Sequence, residues 1–169
     1  MGKESYSYKD LLSNTTIVKH ILANFVKAEW ATDMDLTNIE RIGKGFIDEK
    51  EKENGVGAIY KISYAGDEAY VLFLVASQVD YTIALRIVHH ICEFYMDFTW
   101  EDEEKEFLPL MIPIVLYTGD EEWTAPIQLA DLIDDLEGLL KDALPRFEYY
   151  KIPKEVLPKE GLATWLNNW

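Results

Sequence analysis

Three histidines and one cysteine are the side chains here that most often carry metal or nucleophilic chemistry,. Their spacing argues against both uses. His20 has no second His or Cys at ligand spacing, which predicts a surface or core-edge position. His89 and His90 are adjacent, so on a helix they point about 100° apart and cannot both face one metal. Cys92 is the single cysteine. It has no internal disulfide partner, and its apolar helical surroundings predict a buried structural thiol rather than a nucleophile.

The charge balance narrows the partners. Thirty-one Asp and Glu outnumber sixteen Lys and Arg, for a formal net charge of −15. Nucleic-acid binders gain affinity when a basic face releases counterions. No run of Lys and Arg here exceeds two, and there is no basic stripe. Composition therefore weighs against a nucleic-acid partner, although a local groove depends on where charges sit and not on their sum.

The elements that must position any site follow from periodicity. The chain has 169 residues, 49% of them apolar and 13% aromatic, which predicts a single globular domain over residues 1–169. No apolar run approaches the roughly 18 residues needed to span a bilayer, and the polar start MGKESYSYKD lacks a secretory h-region. A cytoplasmic protein with no membrane association is expected. Residues 6–12 read as a short helix. Ser13 to Thr16 then offer cap oxygens for a second helix, whose apolar stripe is Ile17, Val18, Ile21, Leu22, Phe25 and Val26. Residues 36–48 read as a weak strand broken by Gly43 and Gly45, followed by a solvated turn, EKEKEN, at 49–54.

Two β-rich runs flank Ala65-Gly66-Asp67-Glu68 and predict a hairpin; the continuously apolar Tyr70 to Val75 predicts a central strand covered on both faces. Helical spacing returns over 81–98, with Asp80 available as a cap. Residues 101–106 read as an exposed acidic loop. A buried strand over 110–119, a helix at about 127–134, another over 136–144 and a last strand from Phe147 to Ile152 complete the series. Trp165 and Trp169 follow as core anchors or sticky surface. This order predicts an α/β fold, a mixed central sheet flanked by helices.

Two blocks then become familiar. One is SQVDYTIALR at 77–86, leaving an apolar strand and opening a helix. The other is LMIPIVLYTG at 110–119, followed by Trp123-Thr-Ala-Pro126. With the Tyr8-Lys9 start, they resemble the YhgA-like putative transposases, also called recombination-promoting nucleases, over about residues 6–152. Members often continue into a further C-terminal region, which this chain is expected to lack. The resemblance implies a restriction-endonuclease-like PD-(D/E)XK core. In such cores a hairpin brings an Asp and a Glu together to hold Mg²⁺, and a Lys or Gln assists the attacking water.

On that resemblance, the family's Ser-Asp-Leu strand falls on Val56 to Tyr60, with Gly57 where the metal aspartate belongs. Leu74 replaces the glutamate and Ala76 the glutamine. The family's His-Asp pair near the start is replaced by Glu4 and Ser5. No catalytic residue, metal ligand or cofactor is therefore expected, and strands 56–64 and 70–76 contain no Asp or Glu in any register,. Rescue would need carboxylates from outside, Asp48, Glu53, Asp67, Glu68 or Asp80, with Lys61 and Arg86 able to contact a phosphate. Asp67 and Glu68 are expected at the hairpin tip, Asp80 in a helix cap, and the two cations in surface salt bridges.

Three readings follow. A catalytically silent nuclease-fold protein would act through a protein partner or self-association. An active Mg²⁺-dependent DNA endonuclease would need relocated acidic ligands. A DNA- or RNA-binding module without cleavage would bind a duplex in a salt-sensitive way, which the charge balance disfavours.

Overall fold

A computed structural model describes residues 8–47, 57–101, 107–134, 138, 147–153 and 155. The run EKEKEN, residues 102–106, the predicted helix 136–144 apart from Gly138, and both terminal tryptophans lie outside these. So do Glu4, Ser5, Asp48 and Glu53.

Helices α1 (Tyr8–Ser13) and α2 (Thr15–Phe25) meet at Asn14. Its side-chain oxygen accepts from Thr16 N at 3.0 Å and Ile17 N at 3.2 Å, satisfying two amides that a helix start leaves unpaired. The apolar stripe does what its spacing predicts: Ile17, Val18, Ile21 and Leu22 are buried. Each such side chain stabilises the fold by about 1.5–3 kcal/mol on burial. His20 is half-buried at the core edge. Its ring lies edge-on to Phe25, and the Asn24 side-chain amide is 3.1 Å from its Nδ1.

Five strands follow: β1 (Met34–Ile47), β2 (Gly57–Tyr64), β3 (Asp67–Ala76), β4 (Leu110–Tyr117) and β5 (Tyr150–Pro153). They form one sheet in the order β1-β2-β3-β4-β5. The first three pair antiparallel and the last three parallel. A mixed α/β fold is thus observed. The strand predicted over 36–48 is longer than expected and continues through Gly43, whose φ of +74° suits glycine,. Instead of ending the strand, the glycines coincide with a register irregularity between Ile42 and Ile47,.

The hairpin turn is tighter than expected. Tyr64 pairs directly with Asp67, leaving Ala65 and Gly66 as the two-residue loop, both at positive φ,. Asp67 and Glu68 therefore begin β3 instead of forming the loop.

β3 is central, and every residue from Ala69 to Ala76 is buried. Alternation sends its side chains to two cores. Val71, Phe73 and Val75 pack with α1 and α2. Tyr70, Leu72, Leu74 and Ala76 join a second cluster with Ile83, Ala84 and Ile87 of α3 (Ile83–Glu101). Cys92 departs from expectation. It is exposed, because the buried residues of α3, Ile83, Ala84, Ile87 and His90, share one face, and the step of about 100° per residue puts Cys92 on the opposite side. The helix predicted at 127–134 is only a 3-10 turn, Leu129–Leu132. Nearby, Gln128 forms an isolated bridge with Glu148, which draws that segment toward the sheet.

Candidate functional site

The hairpin brings Gly57 and Leu74 into direct cross-strand register. Antiparallel partners hold their Cβ positions about 4.5–5.5 Å apart, a separation from which two carboxylates could share a cation. Neither residue has an oxygen on its side chain. Leu74 is 2% exposed and packs with Ile83 and Ile87 beneath α3. Ala76, two residues on, shares that face and is also buried. Its carbonyl accepts from Thr118 N at 2.9 Å, which ties the end of β3 to the loop after β4.

The candidate cations are held by carboxylates. Arg86 donates to Asp80 Oδ2 at 2.6 Å, and both side chains are largely shielded. The other Asp80 oxygen accepts from Thr82 N at 2.9 Å and Thr82 Oγ1 at 2.8 Å. Burial pushes the Asp80 pKa up, but the bonds from Arg86 and Thr82 outweigh it and hold the carboxyl below its usual value,. Asp80 thus organises the turn before α3.

Lys61 pairs with Glu68 at 2.5 Å, and the Tyr70 hydroxyl donates to the same carboxylate at 2.6 Å. Burial, then the Glu68 bond, raises the Tyr70 pKa. Asp67 and Glu68 lie toward the turn end of the hairpin, seven and six residues along β3 from Leu74. His89 is exposed while His90 is buried, and each sits 3.5 Å from Glu93. Among the described residues, no three His, Cys, Asp or Glu side chains form a group that could hold a metal.

A polar and aromatic cluster missed by residue-type reasoning joins the C-terminal end of β4, the loop after it and the start of β5. In open α/β sheets ligands favour that end of parallel strands. Tyr117 and Trp123 meet with ring centroids 4.7 Å apart. The Trp123 indole donates to the Tyr149 hydroxyl at 3.0 Å, which donates to Pro126 O at 2.9 Å. Burial pushes the Tyr149 hydroxyl up to about 12. Lys151 sits 6.0 Å from the Tyr117 ring centroid and 5.9 Å from that of Trp123. Tyr117 donates to Glu121 O at 2.7 Å, arching over Gly119, where a Cβ would lie 2.4 Å from the hydroxyl. A side chain there would push the Tyr117 ring aside. Finally, the Tyr81 and Thr124 hydroxyls are bonded at 2.6 Å. The two sequence blocks at 77–86 and 110–126 are therefore one physical unit, and the Tyr-x-Gly and Trp-x-Ala-Pro spacings were its signal.

The family described as Putative transposase, YhgA-like matches residues 6–163, and that span contains the whole unit. The chain belongs to this family. No curated protein and no solved structure is significantly similar to it.

For this YhgA-like chain, the Mg²⁺ implied by the nuclease resemblance does not fit the residues at Gly57, Leu74 and Ala76. A glycine, a buried leucine and an alanine supply no side-chain oxygen, and so no carboxylate, to a hard cation. Among the described residues, no helix is long and apolar enough to cross a membrane.

Proposed function

We propose that this YhgA-like chain is a catalytically silent protein on a nuclease-type PD-(D/E)XK scaffold, working in the cytoplasm through association with a protein partner or with itself. One observation carries the reading. Gly57 and Leu74 pair directly across the hairpin, where the fold would bring two metal-binding carboxylates together, and Leu74 is instead part of the core under α3. Topology supports the scaffold: an antiparallel hairpin leads through β3, α3 and β4 into parallel strands, with a helical layer on each face. The net charge of −15 supports a protein partner over a nucleic acid,.

The test is isothermal titration of Mg²⁺ and Mn²⁺ into the purified chain, with plasmid nicking assayed on the same preparation. The expected outcome is no stoichiometric metal binding and no nicking. Metal-dependent cleavage would overturn the reading in favour of relocated ligands, and Asp48, Glu53 and Asp80 would then be substituted first.

A further inference from the structure

Ahead of the point where β5 joins β4, the start of β4 borders an open pocket of about 450 Å³. Trp30, Tyr64, Tyr150, Met111, Pro113 and Glu148 contribute to its walls. Trp30 and Tyr150 stand at 88° to one another with ring centroids 5.9 Å apart, so two aromatic walls meet nearly at a right angle. Tyr150 is fixed in place, since its hydroxyl accepts from Lys27 N at 2.9 Å. Glu148 is exposed at the rim. Its Oε2 accepts a long bond from Gln128 Nε2 at 3.5 Å, and among the described residues no cation pairs with it.

Aromatic faces attract cations through their quadrupoles, and a carboxylate beside them adds a full opposite charge. Arginine matches both features. Its guanidinium stacks on rings and can take a carboxylate with two parallel bonds, while its apolar stem covers surface such as Met111 and Pro113. A small free ammonium ion would meet the rings and leave much of the pocket unfilled. The chain's charge of −15 also favours encounter with basic partners,.

We propose that this pocket receives an arginine side chain from a partner polypeptide. This deepens the reading above by naming the partner's chemistry, and it rests on that reading's protein partner. It does not depend on the state of the Gly57–Leu74 position.

The experiment titrates a capped Gly-Arg-Gly peptide into the ¹⁵N-labelled chain and follows the Trp30 indole N–H resonance, assigned by its loss in Trp30→Phe. A matched peptide with citrulline, the neutral near-isostere of arginine, is titrated in parallel. The arginine peptide shifts this resonance saturably, and the citrulline peptide binds about tenfold or more weakly. Glu148→Gln, an exposed change that leaves the core untouched, weakens arginine binding up to about fivefold. Trp30→Leu weakens it about 2–30-fold, with circular dichroism checking that this variant folds.

Equal binding of the two peptides, or no shift at Trp30, overturns the proposal. So does a Trp30 response to tetramethylammonium chloride with none to the arginine peptide, because the occupant would then be a free amine. Failure here leaves the metal-binding and nicking results untouched, so the two readings fall separately.

Discussion

The two faces of the sheet are built from the same strands but differ in kind. Toward α1 and α2, β2 and β3 present Ala58, Tyr60, Ile62, Val71, Phe73 and Val75 to a core that is almost wholly aliphatic and aromatic. Toward α3, Leu72, Leu74 and Ala76 are equally buried. There, however, the apolar patch is bordered by polar groups that all have assigned work: Lys61 with Glu68, Asp80 with Arg86, and Trp123 with Tyr149. A face evolved only for packing has little use for such a border, since burying polar groups costs free energy unless each is paired. The contrast teaches that the α3 face surrounds its apolar centre at Leu74 with polar groups that are each paired.

The largest effect expected from breaking this contrast is at that centre. Leu74→Glu buries a carboxylate without a partner and should destabilise the chain by about 3–5 kcal/mol. Adding Gly57→Asp should lower stability further, because the two carboxylates then oppose each other across the hairpin. Thermal melts with and without Mg²⁺ make the measurement. If the α3 face retains site geometry, millimolar Mg²⁺ restores part of the lost melting temperature in the double variant. Phe73→Glu, on the opposite face, should be at least as destabilising and gain nothing from metal. A metal-free double variant as stable as the parent would mean that Leu74 is not committed to the core.

Much of this architecture was legible in the sequence. The stripe Ile17–Leu22 and the unbroken apolar run of β3 are periodic signals that long-range packing reinforces. The segment after Trp123 was not. Its apolar residues have helical spacing, but Leu129 N donates to Phe147 O and Gln128 bridges to Glu148, so tertiary pairing leaves room for one 3-10 turn. Cys92 was misjudged because apolar neighbours in sequence do not share a helical face. At the candidate site, the apolar identities of positions 57, 74 and 76 were legible, and the Tyr-x-Gly and Trp-x-Ala-Pro spacings marked the block at 110–126, but the full Tyr117–Trp123–Tyr149–Lys151 cluster was not. It joins β4, the following loop and β5, and no short-range pattern encodes that meeting.

The border of the α3 face gives the next effect. Asp80 accepts three bonds from Thr82 and Arg86, and its folded pKa is depressed. A depressed acid contributes stability above its unfolded pKa, near about 3.9, and loses that contribution as pH falls through the folded value. Asp80→Asn should therefore cost about 1.5–3 kcal/mol at pH 7. The difference from the parent should stay constant above about pH 5 and shrink toward zero in strong acid. Urea unfolding across pH 3–7 checks the window. A difference that persists unchanged at the acid end would mean that Asp80 acts by shape alone, and the border would lose its electrostatic role.

The smallest effect separates the faces at two consecutive residues. Tyr60 points to the α1–α2 side, fully buried, and its hydroxyl donates to Leu12 O at 2.5 Å. Lys61 points to the other side and meets Glu68 with both side chains about a third exposed. Tyr60→Phe removes a buried donor and leaves a buried carbonyl unpaired, so about 1–2 kcal/mol is expected. Lys61→Met breaks a partly solvated pair, and Glu68 keeps its bond from Tyr70, so less than about 1 kcal/mol is expected. Salt distinguishes the causes better than magnitude does. At 1 M NaCl the Debye length falls to about 3 Å, so the cost of Lys61→Met should nearly vanish while that of Tyr60→Phe stays. If both costs respond alike to salt, Lys61 is held as tightly as the core, and the line between a packed face and a polar-bordered one must be redrawn.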